Sequence, residues 1–248
     1  MNNRFFLTAI PVVLVLSAVM TSCKHDIEYI TPQEGKTMQY EAAFVQCFGM
    51  SIDSNNDWGF GATHVTESPV QRRAGEENGT DKIVATGRVL CEDLGSSYDF
   101  DFNDIVFDAY IYKSGKIEIQ VVARGGILPV SVAGVPITMK QMSNTGVDTD
   151  NFQTINITAE EALSRGWREI VDIPIVVETS QAGEVITFEL TAKVGRVPQK
   201  ICTHIGVHWP KEYIRIDKGY PNFRDYVAAW KTDWTSEIYE EFLFHEIY

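Results

Sequence analysis

The chain has 248 residues and a formal net charge of −13, with 34 acidic against 21 basic side chains. Such a surface repels phosphate backbones and anionic lipid headgroups, which argues against nucleic acid and against electrostatic docking on a membrane. Aromatic side chains make up 11% of the residues, enough for a sizeable core in one large domain.

The N-terminus reads as a targeting segment. Arg4 supplies the positive end, and an apolar run from Phe5 to Met20 follows, interrupted by Pro11 and Ser17. That run is shorter than the roughly 20 residues a membrane-spanning helix needs. Met20-Thr21-Ser22-Cys23 resembles a lipobox, with small residues ahead of a cysteine. Cleavage there leaves Cys23 as an acylated first residue, and several acyl chains on one residue satisfy the two-signal requirement for stable anchoring. Lys24-His25-Asp26-Ile27-Glu28 is similar to the lysine-plus-acid export signals of Bacteroidetes lipoproteins. The expected address is therefore the outer membrane, at the cell surface or otherwise in the periplasmic leaflet. The expected organisation is a leader over residues 1–22, a lipidated tether over 23–37 containing Pro32 and Gly35, and a single β-rich domain over 38–248.

From Met38 onward the pattern predicts a series of short strands: Gln39 to Phe48, Lys82 to Cys91, Ile105 to Tyr112, Lys116 to Ala123, Glu169 to Glu178 and Glu184 to Val194. Alternation is sharpest in Ile117-Glu118-Ile119-Gln120-Val121 and in Ile186-Thr187-Phe188-Glu189-Leu190, as expected of half-buried strands. Tyr112-Lys113-Ser114-Gly115-Lys116 marks a hairpin turn. Helical pattern is sparse: Thr158 to Leu163, with Thr158 as N-cap and Glu161 completing a capping box, and Pro221 to Trp230. The expected fold is mainly β, a β-sandwich or jelly-roll-like arrangement with one or two short helices, one of them C-terminal.

The densest chemical signal is Glu92-Asp93-Leu94-Gly95-Ser96-Ser97-Tyr98-Asp99-Phe100-Asp101-Phe102-Asn103-Asp104-Ile105-Val106-Phe107-Asp108. If Asp99, Asp101 and Asn103 lie on an extended strand, their oxygens share one face and Tyr98, Phe100 and Phe102 share the other. An EF-hand loop also begins Asp-x-Asp-x-Asn, but its sixth position needs Gly and is Asp104, and its twelfth needs Glu and is Tyr110. A calcium site in a loop between strands fits instead. Asp99, Asp101, Asn103 and Asp104 are the leading ligands, and Glu92, Asp93 and Asp108 the second choices. Clustered carboxylates beside Ile105, Val106 and Phe107 repel one another, and a divalent cation removes that cost. Mg²⁺ suits the set less well, because it keeps several waters.

The same acidic stretch resembles the signature of the LruC-domain proteins, which are bacterial surface-directed lipoproteins with a C-terminal domain of unassigned function. Val207-His208-Trp209-Pro210-Lys211-Glu212 and Tyr220-Pro221-Asn222-Phe223 are similar to later stretches of that family. The resemblance covers roughly residues 90–235, and it implies an envelope location without naming an activity.

Other features read more plainly. Asp53-Ser54-Asn55-Asn56-Asp57-Trp58 is either a weak second ion site or, the favoured reading, an Asx-rich turn. His204 and His208 have zinc-like spacing, yet Glu is absent at the position the zinc-protease motif needs, and Pro210 follows closely. Cys47, Cys91 and Cys202 show no metal pattern; they suit either one disulfide with a free thiol or three buried thiols. The aromatic tail, with Phe223, Val227 and Trp230 at helical spacing, reads as core. No nucleophile elbow, phosphate loop or dinucleotide fingerprint is present. The expected function is a calcium-stabilised binding or adhesion module for a glycan or an envelope protein, rather than an enzyme. The alternatives are a metal-assisted polysaccharide hydrolase, with two acids of the cluster as acid and base, or a purely structural envelope component.

Overall fold

The computed structural model describes residues 30–59, 63–64, 81–95, 98–141, 152–229 and 233–244. The leader, Cys23 and the export-like residues that follow it lie outside the described residues, as does Trp230. Among the described residues, no helix is long and apolar enough to cross a membrane.

In chain order the first elements are helix α1 (Pro32–Phe48) and strands β1 (Thr63–His64), β2 (Ile83–Cys91), β3 (Ile105–Tyr112), β4 (Ile117–Ala123), β5 (Val130–Val132) and β6 (Val135–Pro136). Strand β7 (Gln153–Ile157), helix α2 (Ala159–Arg165), strands β8 (Ile175–Gln181), β9 (Glu184–Glu189) and β10 (Lys200–Thr203), and helices α3 (Ile216–Gly219) and α4 (Phe223–Ala228) follow. The fold is mainly β, with two antiparallel sheets. One runs β1-β2-β3-β4-β7 and has six strands, because β10 pairs with β2 as well. β1 meets β2 at Ala85 and Thr86 while β10 meets it from Arg88 to Cys91, so the two share one edge. The other sheet is ordered β6-β5-β8-β9. One core cluster contains side chains of both sheets and of α1 and α4.

Local chemistry explains the strands. β4 buries Ile117, Ile119 and Val121 and leaves Glu118 and Gln120 half-buried, following its alternation. β3 is buried almost throughout, as befits the strand between β2 and β4. The Tyr112–Lys116 turn closes by Tyr112 N–H donating to Lys116 at 2.9 Å, and Gly115 takes the left-handed φ of 90° that the turn requires.

The first predicted strand is a helix. Thr31 is the N-cap, its side chain accepting from the Glu34 N–H while Glu34 returns to the Thr31 N–H; Pro32 opens the helix and Gly49 ends it at φ 69°. Lys36, Tyr40, Phe44 and Phe48 recur every four residues along its buried stripe. α1 thus replaces the strand expected over 39–48 and absorbs residues 32–37 of the expected tether. Elsewhere, a one-turn 3₁₀ helix (Ile170–Asp172) stands where the strand from Glu169 was expected, and β8 begins only at Ile175. At α2 the Thr158 side chain accepts from Glu161 N–H, as predicted, but Glu161 completes no capping box and pairs with Arg165 at 3.2 Å instead. The C-terminal helix is shorter than expected and starts at Phe223 rather than at Pro221.

Among the described residues, Cys47, Cys91 and Cys202 are free. Cys91 and Cys202 are fully enclosed, and burial pushes the Cys202 thiol up to about 12, so it packs as a small apolar group. Asp53 forms the Asx turn, its Oδ1 accepting from Asn55 N–H at 2.8 Å, and Asp57 caps the Gly59 N–H at 2.9 Å. The tail aromatics Trp209, Tyr220, Phe223, Tyr226, Trp234 and Phe244 are buried. The exposed exceptions include Tyr213 and Tyr239.

Candidate metal centre

Three chain segments meet at one end of the six-stranded sheet. They are the β2–β3 connection, the residues just after β4, and the stretch following Trp209. Asp104 N–H donates to the Cys91 carbonyl at 3.1 Å, while Gly125 and Gly126 donate to Asn103 and Asp104 at 2.9 and 3.2 Å. Ile216 N–H donates to the Phe100 carbonyl at 2.9 Å, drawing the C-terminal segment onto the same loop. The β3–β4 register shifts between Val106 and Phe107, an irregularity of the kind that often lies beside a functional loop.

The alternation of acids and rings separates as expected, by a different backbone. Residues 98–102 form no strand. Phe100 and Phe102 each sit at φ 55°, in the left-handed region rather than the extended one. Phe100 packs on the α1 stripe, with ring centroids 5.4 Å from Tyr40, 5.2 Å from Phe44 and 5.8 Å from Phe48. Phe102 lies 6.3 Å from Phe223 of α4. Asp99, Asp101 and Asn103 turn the other way. Left-handed non-glycine residues cost about 1–3 kcal/mol each, so this loop is held by its surroundings. Leu94 and Tyr213, at φ 58° and 62°, add to the strain around the same loop.

Glu92, Asp99 and Asp101 each place an oxygen within 4.8 Å of the others, with Glu92 and Asp101 almost fully buried and Asp99 half-buried. Those separations suit oxygens sharing one ion at roughly 2.3–2.6 Å. Backbone amides orient the carboxylates. Glu92 Oε1 accepts from Phe102 N–H at 2.8 Å; Asp101 accepts from Asn103 N–H at 3.2 Å and from Tyr213 N–H at 2.9 Å. Asp104 Oδ2 accepts from Asp93 N–H at 2.6 Å, and Asp93 from Gly95 N–H at 2.8 Å. None of these carboxylates has a lysine or arginine ion pair among the described residues. Lys36 and Arg124 exert their pull on Asp93, but Lys36 Nζ donates to the Gly95 carbonyl and Arg124 to the carbonyls of Met139 and Leu128.

The electrostatic result is uniform. Burial, then the charges of Asp104, Asp101 and Asp99, pushes Glu92 well above the usual carboxylate range. Burial and then Asp93 do the same to Asp104. Asp101 is pushed up to about 8 by burial first and Asp99 second, and Asp93 and Asp99 are raised mainly by burial. Hard oxygen donors alone, carrying this much unpaired charge, fit Ca²⁺ better than a thiolate- or imidazole-seeking metal.

Asp108 stands apart from the other predicted ligands. Its two oxygens accept from Arg88 Nε at 2.7 Å and Nη2 at 2.9 Å across the β2–β3 pair, in a nearly dry ion pair beneath the Trp209 ring. His204 is exposed, and neither histidine joins the acidic group. Glu212, absent from the predicted ligands, comes in beside Asn103, and burial and then Asp99 raise its carboxyl. Its place in the Trp209-Pro210-Lys211-Glu212 stretch was the sequence signal available for it.

Glycines make the close approach possible. A Cβ on Gly125 would stand 2.0 Å from Asn103 Oδ1, and one on Gly126 would stand 2.5 Å from Asp93 Oδ2.

No protein-family model matches the chain, and no curated protein matches it. Among solved structures, a candidate lipoprotein from Bacteroides ovatus aligns over 73% of this chain and 80% of its own, at 14% identity and a TM-score of 0.36. A likeness that slight carries no argument about this chain.

Proposed function

We propose that this protein is a lipid-anchored envelope protein whose β-rich domain binds Ca²⁺, and that the ion rigidifies the loops of a binding or adhesion surface. The observation that carries the proposal is the group of buried carboxylates without a basic partner, oriented by backbone amides on a strained loop. The lipobox-like Cys23 and the acidic signature similar to LruC-domain proteins support the envelope address.

The surroundings support binding. Ile127 follows Gly126 and Tyr213 follows Glu212, and at 73% and 69% exposed they are among the most exposed large apolar side chains described. Loops held by an ion and carrying an aromatic and an aliphatic side chain suit recognition of a glycan or an envelope protein. Burial of Glu92 and Asp101 favours an ion over a sugar as what meets these acids, and so a binding module over a hydrolase. A glycosidase pair must reach a glycosidic bond across an open cleft.

The test is a thermal melt of residues 24–248 in excess Ca²⁺ and in EDTA. At about 100 times the dissociation constant, binding stabilises by roughly 2.7 kcal/mol, or about 5–10 °C for a domain of this size. The rise should disappear in Asp101→Ala. Equal melting temperatures in the two conditions would sink the calcium proposal.

A further inference from the structure

Two buried oxygens at this end of the sheet lack any hydrogen-bond partner: Asn103 Oδ1 and Glu212 Oε2. Asn103 is wholly buried. The two oxygens converge, because a Cβ built on Gly125 would lie 2.0 Å from the first and 2.8 Å from the second. The amide is oriented by its other end, where Asn103 Nδ2 donates to the Pro210 carbonyl at 3.1 Å. Reversing the amide would give Glu212 a donor but would set Oδ1 against that carbonyl, which can only accept. With Glu212 ionised, either orientation sets two acceptors against each other, a costly arrangement unless a cation, or the proton that burial favours on Glu212, stands between them.

We propose that Glu212 is a ligand of the bound cation, sharing it with Asn103 Oδ1, so that the ion ties the C-terminal segment to the β2–β3 loop. This rests on the calcium reading above and extends its ligand set to a residue more than a hundred positions along the chain. Neighbouring contacts hold Glu212 in place for that role. Tyr213 N–H donates to Asp101 Oδ2 at 2.9 Å, and Lys211 N–H donates to the Phe242 carbonyl at 2.9 Å. Pro210 also bridges to Leu243, so whatever holds Glu212 holds the end of the described chain as well.

The experiment is calorimetric titration of Ca²⁺ into residues 24–248 of the wild type, Glu212→Gln and Glu212→Asp, with limited proteolysis in Ca²⁺ and in EDTA. Glu212→Gln keeps the shape and removes one unpaired charge, so its melting temperature in EDTA should equal or exceed that of the wild type. Its Ca²⁺ affinity should fall roughly tenfold or more, the scale seen even when groups behind a ligand are lost. Glu212→Asp should fall between the two. Ca²⁺ should slow cleavage within residues 205–244 in the wild type and not in Glu212→Gln. Wild-type affinity in Glu212→Gln would overturn the proposal and leave the calcium site standing; that is the result expected if only a water bridges the two oxygens. No Ca²⁺ binding by the wild type would overturn both.

Discussion

Asp108→Asn separates a structural carboxylate from the proposed ion ligands. Asp108 belongs to the acidic signature by sequence, but its oxygens are 2.7 and 2.9 Å from Arg88 nitrogens, and both side chains are almost inaccessible. The substitution removes the negative charge and turns an amide group toward the guanidinium, so the buried Arg88 charge loses the carboxylate that balances it. Breaking one side of a buried pair costs about 3–5 kcal/mol. For a domain of about 150–250 residues that lowers the melting temperature by roughly 6–20 °C. Arg88→Met should cost more, because Arg88 Nη1 also donates to the Val207 carbonyl at 2.7 Å, which would then be buried without a donor. The double variant Arg88→Met/Asp108→Leu should be less destabilised than the sum of the two changes, since neither charge remains. The assay is a melt of each variant in EDTA and in Ca²⁺. Every variant should keep the wild-type rise in Ca²⁺, because both Asp108 oxygens are engaged by Arg88 rather than by the proposed site. A rise abolished in Asp108→Asn would refute the assignment, and a drop under about 2 °C in EDTA would refute the dry pair.

Gly125→Ala should abolish the Ca²⁺-dependent rise and cost about 1–3 kcal/mol in EDTA, because its Cβ would meet Asn103 Oδ1 at 2.0 Å; an unchanged calcium response in melts would contradict the close approach. Stability without the ion should fall as pH rises. Glu92, Asp101 and Asp104 have folded-state pKa values above their unfolded ones, so the native state holds extra protons, and the stability these give is complete at low pH. It is lost between the ordinary carboxylate range and about 8, the value for Asp101. His204, exposed at its edge yet lowered by partial burial of its ring, works in the opposite direction but equally with and without Ca²⁺. The decisive quantity is therefore the difference between melts in EDTA and in Ca²⁺ from about pH 5 to 8, which should widen with pH; a constant or narrowing gap would contradict raised carboxylates at the site.

Most of the sheet was legible because its determinants are local. The alternation in 117–121 and the Gly115 turn decide strand and hairpin within a few residues, and β2, β3 and β4 lie within a residue of where patterning puts them. α1 was legible too, through signals other than the ones weighed. Apolar residues in 39–48 suggest a strand, but the capping box at Thr31 and Glu34, Pro32 at the first position and Gly49 after Phe48 are a complete set of helix boundaries. β7 and β10 were missed for another reason. Gln153-Thr154-Ile155-Asn156-Ile157 and Lys200-Ile201-Cys202-Thr203 are short and mixed in polarity, and they become strands by pairing with β4 and β2.

The site shows where local reading stops. Composition suffices to say that oxygens and rings in strict alternation must part, and they do, yet an extended strand is the wrong way to part them. Left-handed backbone at two phenylalanines is disfavoured locally and becomes affordable only when Phe100 can enter the aromatic stripe of α1 and Phe102 can reach Phe223. Nothing within the acidic stretch encodes those partners. The same holds for Asp108, whose neutralising arginine lies on another strand, and for Glu212, whose approach depends on Gly125 having no side chain. Aromatic burial on one side of the loop supplies the free energy that holds the carboxylates together on the other. If so, the rings of Phe100 and Phe102 are as much part of the ion site as the oxygens, and a core substitution at Phe100 should weaken Ca²⁺ binding without touching a ligand.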